Sequence, residues 1–128
     1  MFKAVHHLAI ICSNYEKSKH FYNLVLGFRI MRETYRAERD SYKLDLEMMD
    51  GVQIELFSFP SPPSRITNPE ACGLRHLALR SDTLEQTRDH LFLLGVELEP
   101  IRVDETTGKK FFFFRDPDGL PIEVYESC

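Results

Sequence analysis

Apolar and polar residues along this chain fall into two stretches with the same order of elements. Residues 4–11, rich in Val, Ile and Leu, predict a largely buried strand. Ser13-Asn14-Tyr15-Glu16 has the form of a helix capping box, with Ser13 as the cap. Ser18, Phe21, Tyr22 and Val25 then recur at helical spacing, and Gly27 supplies the stop. Strands are predicted at 28–35, 42–49 and 52–58, the last two joined by a two-residue hairpin at Asp50-Gly51. The proline-dense stretch 59–72 breaks the pattern and reads as a linker in preference to a lid over a pocket.

The order then repeats. Residues 73–81 predict a strand, and Asp82 is the expected cap acceptor for the next helix. Leu84, Thr87, Leu91 and Leu94 form that helix's buried stripe, and Gly95 closes it. Strands follow at about 96–104, 109–115 and 120–127, with the last hairpin turning at Asp116-Pro117-Asp118-Gly119. Both halves read βαβββ, over 4–58 and 73–127. The expected architecture is therefore α+β: one domain, 1–128, of two modules forming a curved, mixed β-sheet cleft.

The repeat extends to individual residues, and a period of this kind constrains the whole fold. His7-Leu8-Ala9-Ile10 returns as His76-Leu77-Ala78-Leu79, and Ile54-Glu55-Leu56 as Ile122-Glu123-Val124. Each half thus opens on a histidine strand and closes on a glutamate strand. Side chains alternate across a strand, so His7 shares a face with Ala9 and Ile11, and Glu55 with Gln53 and Phe57. His76 lies beside Ala78, and Glu123 beside Pro121 and Tyr125. In each half one face suits packing against the helix and the other carries the His or the Glu.

A lone strand histidine is usually structural, and a lone glutamate usually faces water. Four such residues at matched positions of two matched halves point instead to one metal site made of His7, Glu55, His76 and Glu123. Two imidazoles and two carboxylates suit a divalent transition metal (Zn, Ni, Co or Mn) and are too nitrogen-rich for Mg or Ca. Coordination positions left for water or substrate mark a catalytic centre rather than a structural one.

The remaining composition narrows the picture. The chain has 128 residues, 43% hydrophobic and 28% charged, with a net charge of −4. That mild and dispersed charge argues against nucleic acid as the main partner. No segment has the roughly 18 apolar residues of a membrane span, and the N-terminus has no hydrophobic signal core, so the cytoplasm is the default expectation. Cys12, Cys72 and Cys128 have no paired spacing, which argues against a disulfide framework. Structural roles are expected for His6, placed on the face opposite His7, and for His20 and His90. Phe111 to Phe114 read as core packing, with alternate rings flooring a pocket as the other option. Arg36, Arg39 and Lys43 are candidates to hold a substrate carboxylate, with plain surface as the alternative.

The His-Leu-Ala-Ile/Leu strands, Leu26-Gly27-Phe28 after the first helix, and the ending Asp116-Pro117-Asp118-Gly119-Leu120-Pro121-Ile122-Glu123 resemble the glyoxalase I branch of the vicinal oxygen chelate superfamily. The likeness covers essentially the whole chain. It is closest to small bacterial glyoxalase-like proteins carrying Glu55-Leu56-Phe57-Ser58-Phe59-Pro60 and Pro69-Glu70-Ala71-Cys72-Gly73-Leu74-Arg75-His76. It implies the ligand order His, Glu, His, Glu, filled here by His7, Glu55, His76 and Glu123. Extradiol dioxygenases and fosfomycin-type thiol transferases lack the first carboxylate, so Glu55 argues against them.

The implied activity is that of a metal-dependent lyase or isomerase similar to lactoylglutathione lyase. A proton is abstracted next to a carbonyl of a 2-oxoaldehyde–thiol hemithioacetal or similar small substrate, with a metal-stabilised enediolate. Glu123 is the expected base and Glu55 its near-symmetric partner. Alternatives on the same scaffold are an epimerase, a thiol transferase and a non-catalytic binder of small ligands. The family further implies a homodimer and a small-molecule substrate, with or without a thiol cosubstrate. No residue set matches glutathione binding.

Overall fold

A computed structural model of the protein describes residues 1–127; Cys128 lies outside the described residues. The chain divides into two compact units, Met1–Ser64 and the part from Arg65 onward. Each contains one four-stranded mixed sheet, and the whole is α+β with few helices.

In the first unit β1 (His7–Cys12) leads into a helix α1 (Tyr15–His20), followed by β2 (Arg29–Arg36), β3 (Ser41–Glu47) and β4 (Gln53–Ser58). The sheet order is β1-β4-β3-β2, with β1 parallel to β4 and the other pairs antiparallel. The second unit has β5 (Leu77–Ser81), α2 (Leu84–Leu93), β6 (Arg102–Val103), β7 (Lys110–Arg115) and β8 (Pro121–Glu126). Its order, β5-β8-β7-β6, is the same arrangement. A parallel pair needs a long crossover between its strands. In each unit the helix and the two intervening strands provide it.

The predicted elements stand, though β1 starts at His7 and not at 4, and β5 at Leu77 and not at 73, and with four further local corrections. The cap of α1 is Asn14 rather than Ser13: its side chain accepts from the Lys17 N–H at 3.1 Å. The helix also runs beyond His20 as a wider π-type turn over Phe21–Val25, ending at Gly27 with φ +77°. Asp82 does not cap α2; the residue at the cap is Thr83, and Asp82 instead accepts a hydrogen bond from the Ser127 hydroxyl. Leu94 is the last-turn cap and is exposed, so the buried stripe of α2 reduces to Leu84 and Leu91 with Thr87 half-buried.

The third correction is the strand predicted at 96–104, which shrinks to Arg102–Val103. Pro100 has no N–H to give a ladder, and the pairing is extended by single bonds, Glu99 donating to the Phe113 carbonyl at 3.0 Å and Asp104 to the Lys109 carbonyl at 2.8 Å.

The fourth is the hairpin after β3. A two-residue turn at Asp50-Gly51 would pair residue 49 with 52 and set Leu46 opposite Glu55, joining an apolar face to a polar one. Instead Met48 donates to the Val52 carbonyl at 2.9 Å and Gly51 to the Met48 carbonyl at 3.0 Å. Three residues form the loop, Gly51 takes φ +90°, and Leu46 faces Ile54. The later hairpin is built identically: Asp116 donates to the Leu120 carbonyl and Gly119 to the Asp116 carbonyl, both at 3.0 Å.

Alternation then sorts the side chains. In unit one Ile10, Leu44, Leu46, Ile54 and Leu56 are buried on the sheet face that meets α1, whose Ser18, with Phe21 and Tyr22 after it, is also buried. In unit two Leu77, Phe112, Phe114, Ile122 and Val124 form the equivalent core with Leu84 and Leu91 of α2. The opposite face of each sheet carries the residues of chemical interest.

Candidate metal and substrate site

His7 is the first residue of β1 and Glu55 lies centrally in β4. The parallel register pairs Ala9 with Glu55 and His7 with Gln53, so the imidazole and the carboxylate are diagonal neighbours on one face. His7 Nε2 is 3.4 Å from Glu55 Oε2. In the second unit His76 immediately precedes β5, Ala78 pairs with Glu123, and His76 Nε2 is 3.5 Å from Glu123 Oε1. The repeated residues therefore make repeated pairs. In both, the carboxylate is recessed, with 15% and 14% of its side chain exposed, while the imidazole is more open at 41% and 30%.

The donor sets fit a divalent transition ion. Two bonds of about 2.1 Å at a tetrahedral angle place their donor atoms about 3.4 Å apart, so each pair can chelate with little movement. Each unit holds one such pair. Among the described residues no group of three or more His, Cys, Asp or Glu side chains is assembled to hold an ion.

His6 departs from its predicted place. It precedes β1, strand alternation does not govern it, and its Nδ1 lies 2.9 Å from Nδ1 of His7 in an edge-to-face ring contact. One ring donates and the other accepts. That hydrogen bond leaves Nε2 of His7 facing Glu55, the usual way a second imidazole nitrogen fixes a ligand's orientation. His76 is held differently, by an edge-to-face contact with the Phe113 ring at 5.1 Å.

The two glutamates have unlike surroundings. Across the β3–β4 ladder Glu55 faces Asp45, a carboxylate only 4% exposed. Lys43 Nζ lies 3.4 Å from Asp45 Oδ1 and 3.8 Å from Glu55 Oε1, and Arg32 Nε donates to Asp45 Oδ2 at 3.3 Å. In the second unit the place opposite Glu123 is taken by Phe113, flanked by Phe111 and Tyr125 on the same face. Of the four phenylalanines, Phe112 and Phe114 are core, while Phe111 and Phe113 line this face. Core packing therefore holds for Phe112 and Phe114, and of the other two Phe113 lines a cavity.

The residues singled out as carboxylate binders are otherwise engaged. Lys43 is tied to Asp45 and Glu55. Arg36 stacks over Phe57 at 5.0 Å and its Nη2 donates to Ser41 Oγ at 3.1 Å; Arg39 stacks over Phe59 at 4.7 Å. Sequence reading missed a cavity of about 200 Å³ in the second unit, walled by the loop from Arg65 to Ala71, by His76 and by Arg102 and Phe113. The loop was legible as proline-rich but not as a wall. What makes it one is Arg65, whose Nη2 donates to the carbonyls of Leu74 (2.7 Å) and Arg75 (3.0 Å) and whose Nε donates to Thr67 Oγ1 (3.1 Å).

Comparison with known proteins agrees with this fold. The family model described as Glyoxalase/Bleomycin resistance protein/Dioxygenase superfamily matches residues 4–124. An uncharacterized protein of Bacillus subtilis, YwkD, is 58% identical over 126 residues, covering 98% of each chain. The crystal structure of a glyoxalase family protein from Enterococcus faecalis superposes with a TM-score of 0.92 at 47% identity, over 98% of both chains. A fosfomycin resistance protein from Listeria monocytogenes, solved as a variant complexed with Mn(II) and a dihydroxypropylphosphonic acid, shares the fold at a TM-score of 0.75 and 18% identity, over 100% of this chain and 95% of that one. No helix among the described residues is long and apolar enough to cross a membrane.

Proposed function

The chain belongs to the glyoxalase/bleomycin resistance protein/dioxygenase superfamily, and from that premise we propose that it is a metal-dependent, glyoxalase I-like enzyme. His7, Glu55, His76 and Glu123 are the ligands of one divalent transition ion, and the reaction is proton transfer next to a carbonyl of a small substrate. The observation that supports this best is the repetition of one His–Glu pair, at 3.4 and 3.5 Å, at matched register in both sheets. The working form is a homodimer, and the four ligands come from the two units of one chain or from units of two chains.

A bound divalent ion supplies Lewis-acid stabilisation of negative charge on the substrate's oxygens. The chain's own residues do the rest. Glu55 is tethered on both sides, by His7 and Lys43, and acts as the fixed carboxylate. Among the described residues Glu123 has His76 as its ion-pair partner and an aromatic ring across the ladder. It is the carboxylate free to swing, take the proton from one carbon and return it to the adjacent one. The phenyl faces of Phe111 and Phe113 exclude water from the reacting carbon, which keeps the removed proton from exchanging.

The test is metal titration by calorimetry together with turnover on oxoaldehyde–thiol adducts and acyl thioesters. Wild-type protein should bind one ion per four ligands. His7→Gln and His76→Gln should each weaken it severely. Glu123→Gln should retain much of the ion and lose turnover by at least a hundredfold. Wild-type turnover in Glu123→Gln would overturn the assignment of the base. Undiminished metal affinity in either histidine variant would overturn the site.

A further inference from the structure

The cavity of the second unit has a chemistry that neither the repeat nor the ligand pairs require. On the first sheet Glu55 has the charges of Lys43 and Asp45 beside it, whereas this cavity combines the Phe113 ring with arginines. Arg102 lies over two rings, its guanidinium carbon 5.0 Å from the centroid of Phe111 and 5.7 Å from that of Phe113. A guanidinium resting against aromatic rings keeps its N–H donors for other partners, and its planar fork matches a carboxylate by paired hydrogen bonds. Its recorded polar contact is with Glu99 Oε1, at 3.4 Å, and both side chains are about half exposed, at 54% and 47%. That contact is long and solvated, and an incoming anion can displace it.

Arg75 lies on the wall beside His76, and among the described residues its side chain has no polar partner. Arg65, by contrast, is consumed in holding the loop. Glu70 also lines the cavity, so the wall is selective in position rather than uniformly basic. Size sets a further limit. The volume of about 200 Å³ equals roughly seven waters at about 30 Å³ each, and it falls below the roughly 300–1,000 Å³ of sites for drug-sized ligands.

We propose that this cavity is the specificity pocket of the enzyme, and that it takes a small monocarboxylate. The carboxylate is held between Arg102 and Arg75, with its short aliphatic body against Phe113 and its far end toward His76. The substrate class is thus a compact oxo- or hydroxy-acid derivative carrying its own negative charge. This deepens the function proposed above and rests on it for the identity of the reacting end, but the pocket is testable without metal.

The probe is propionate, which lacks vicinal oxygens and so cannot chelate an ion in the substrate's manner. It is titrated into metal-free and metal-loaded protein and followed by backbone and arginine side-chain NMR. We expect saturable binding with shifts at Arg75, Arg102 and Phe113 in both forms. Arg102→Gln and Arg75→Gln should each weaken it at least tenfold, with Arg102→Lys weaker than wild type. His7→Gln, at a residue that does not line this cavity, should keep propionate binding while losing metal. Equal affinity for propionamide or propylamine, or unchanged propionate affinity in both arginine variants, would overturn the pocket and leave the metal site standing. Retained propionate binding in a protein that takes up no ion would sink the metal reading and leave the pocket.

Discussion

Asp45 stands directly across the ladder from Glu55, and Phe113 holds the matching place across from Glu123. The duplicated carboxylates therefore work in unlike settings, one in a chain of charges and one against an aromatic ring. Lys43 joins the charged side together, within 4 Å of both Asp45 and Glu55. Asp45 is buried, and removing one partner of a buried charge strands the other.

Lys43→Met is accordingly expected to lower stability by about 1–3 kcal/mol, since Arg32 still partners Asp45 but is largely exposed. Lys43→Met with Asp45→Asn should recover much of that loss. A double-mutant cycle measured by urea denaturation checks the coupling. Strict additivity of the two single variants would show that the contact carries no energy.

His6 sets the ring of His7 through its Nδ1 contact. His6→Ala should leave the fold intact and reduce metal affinity by about 10–100-fold, the usual cost of removing such a partner. His6→Gln, which can still accept or donate, should restore part of it. Competition with a chromogenic chelator measures the difference. Circular dichroism separates it from unfolding.

Ile54 and Ile122 occupy equivalent, fully buried positions in the two sheets. Truncating either to Ala should cost about 2–5 kcal/mol, the range for a buried aliphatic deletion. Because the units are compact in their own right, we expect similar losses at the two sites. A tenfold smaller effect at one of them would show that its unit contributes little to global stability.

Glu33 receives hydrogen bonds from Lys19 at 2.8 Å and Tyr15 at 2.5 Å. The lysine first, and then the tyrosine, holds its carboxyl below the usual carboxylate range. A depressed carboxyl stabilises the fold above the unfolded value of about 4.3 and loses that contribution as pH falls through its lowered value. The stability gap between wild type and Glu33→Gln should therefore be present at pH 6 and close toward pH 2–3. Its size should be about a few tenths of a kcal/mol, since the side chain is 38% exposed. Denaturant midpoints at the two pH values decide it. A gap that widens in acid would reverse the assigned sign.

How much could be read in advance follows from the range over which each feature is determined. The two βαβββ halves and the faces of their strands are local consequences of period-two alternation and of glycine at helix ends, and so they stood in the sequence. His7 with Glu55, and His76 with Glu123, could be matched because a duplicated chain places duplicated residues at duplicated register. Pro100 and Asn14 show the limit of local reading: a missing N–H shortened a strand, and one capping side chain won over its neighbour.

What depended on tertiary structure was everything set by partners distant in sequence. The three-residue loop at Met49, Asp50 and Gly51 fixed which residue faces Glu55, and with it the chain of Lys43, Asp45 and Arg32. The cavity beside His76 required Arg65 to pull its loop onto the carbonyls of Leu74 and Arg75. The separations of nine and ten positions between those partners leave the path of the loop open until the hydrogen bonds form. The order of elements and the four ligand candidates were written in the chain itself. The difference between the two carboxylates, and the pocket that would choose a substrate, arose only when the strands paired and the loop folded back.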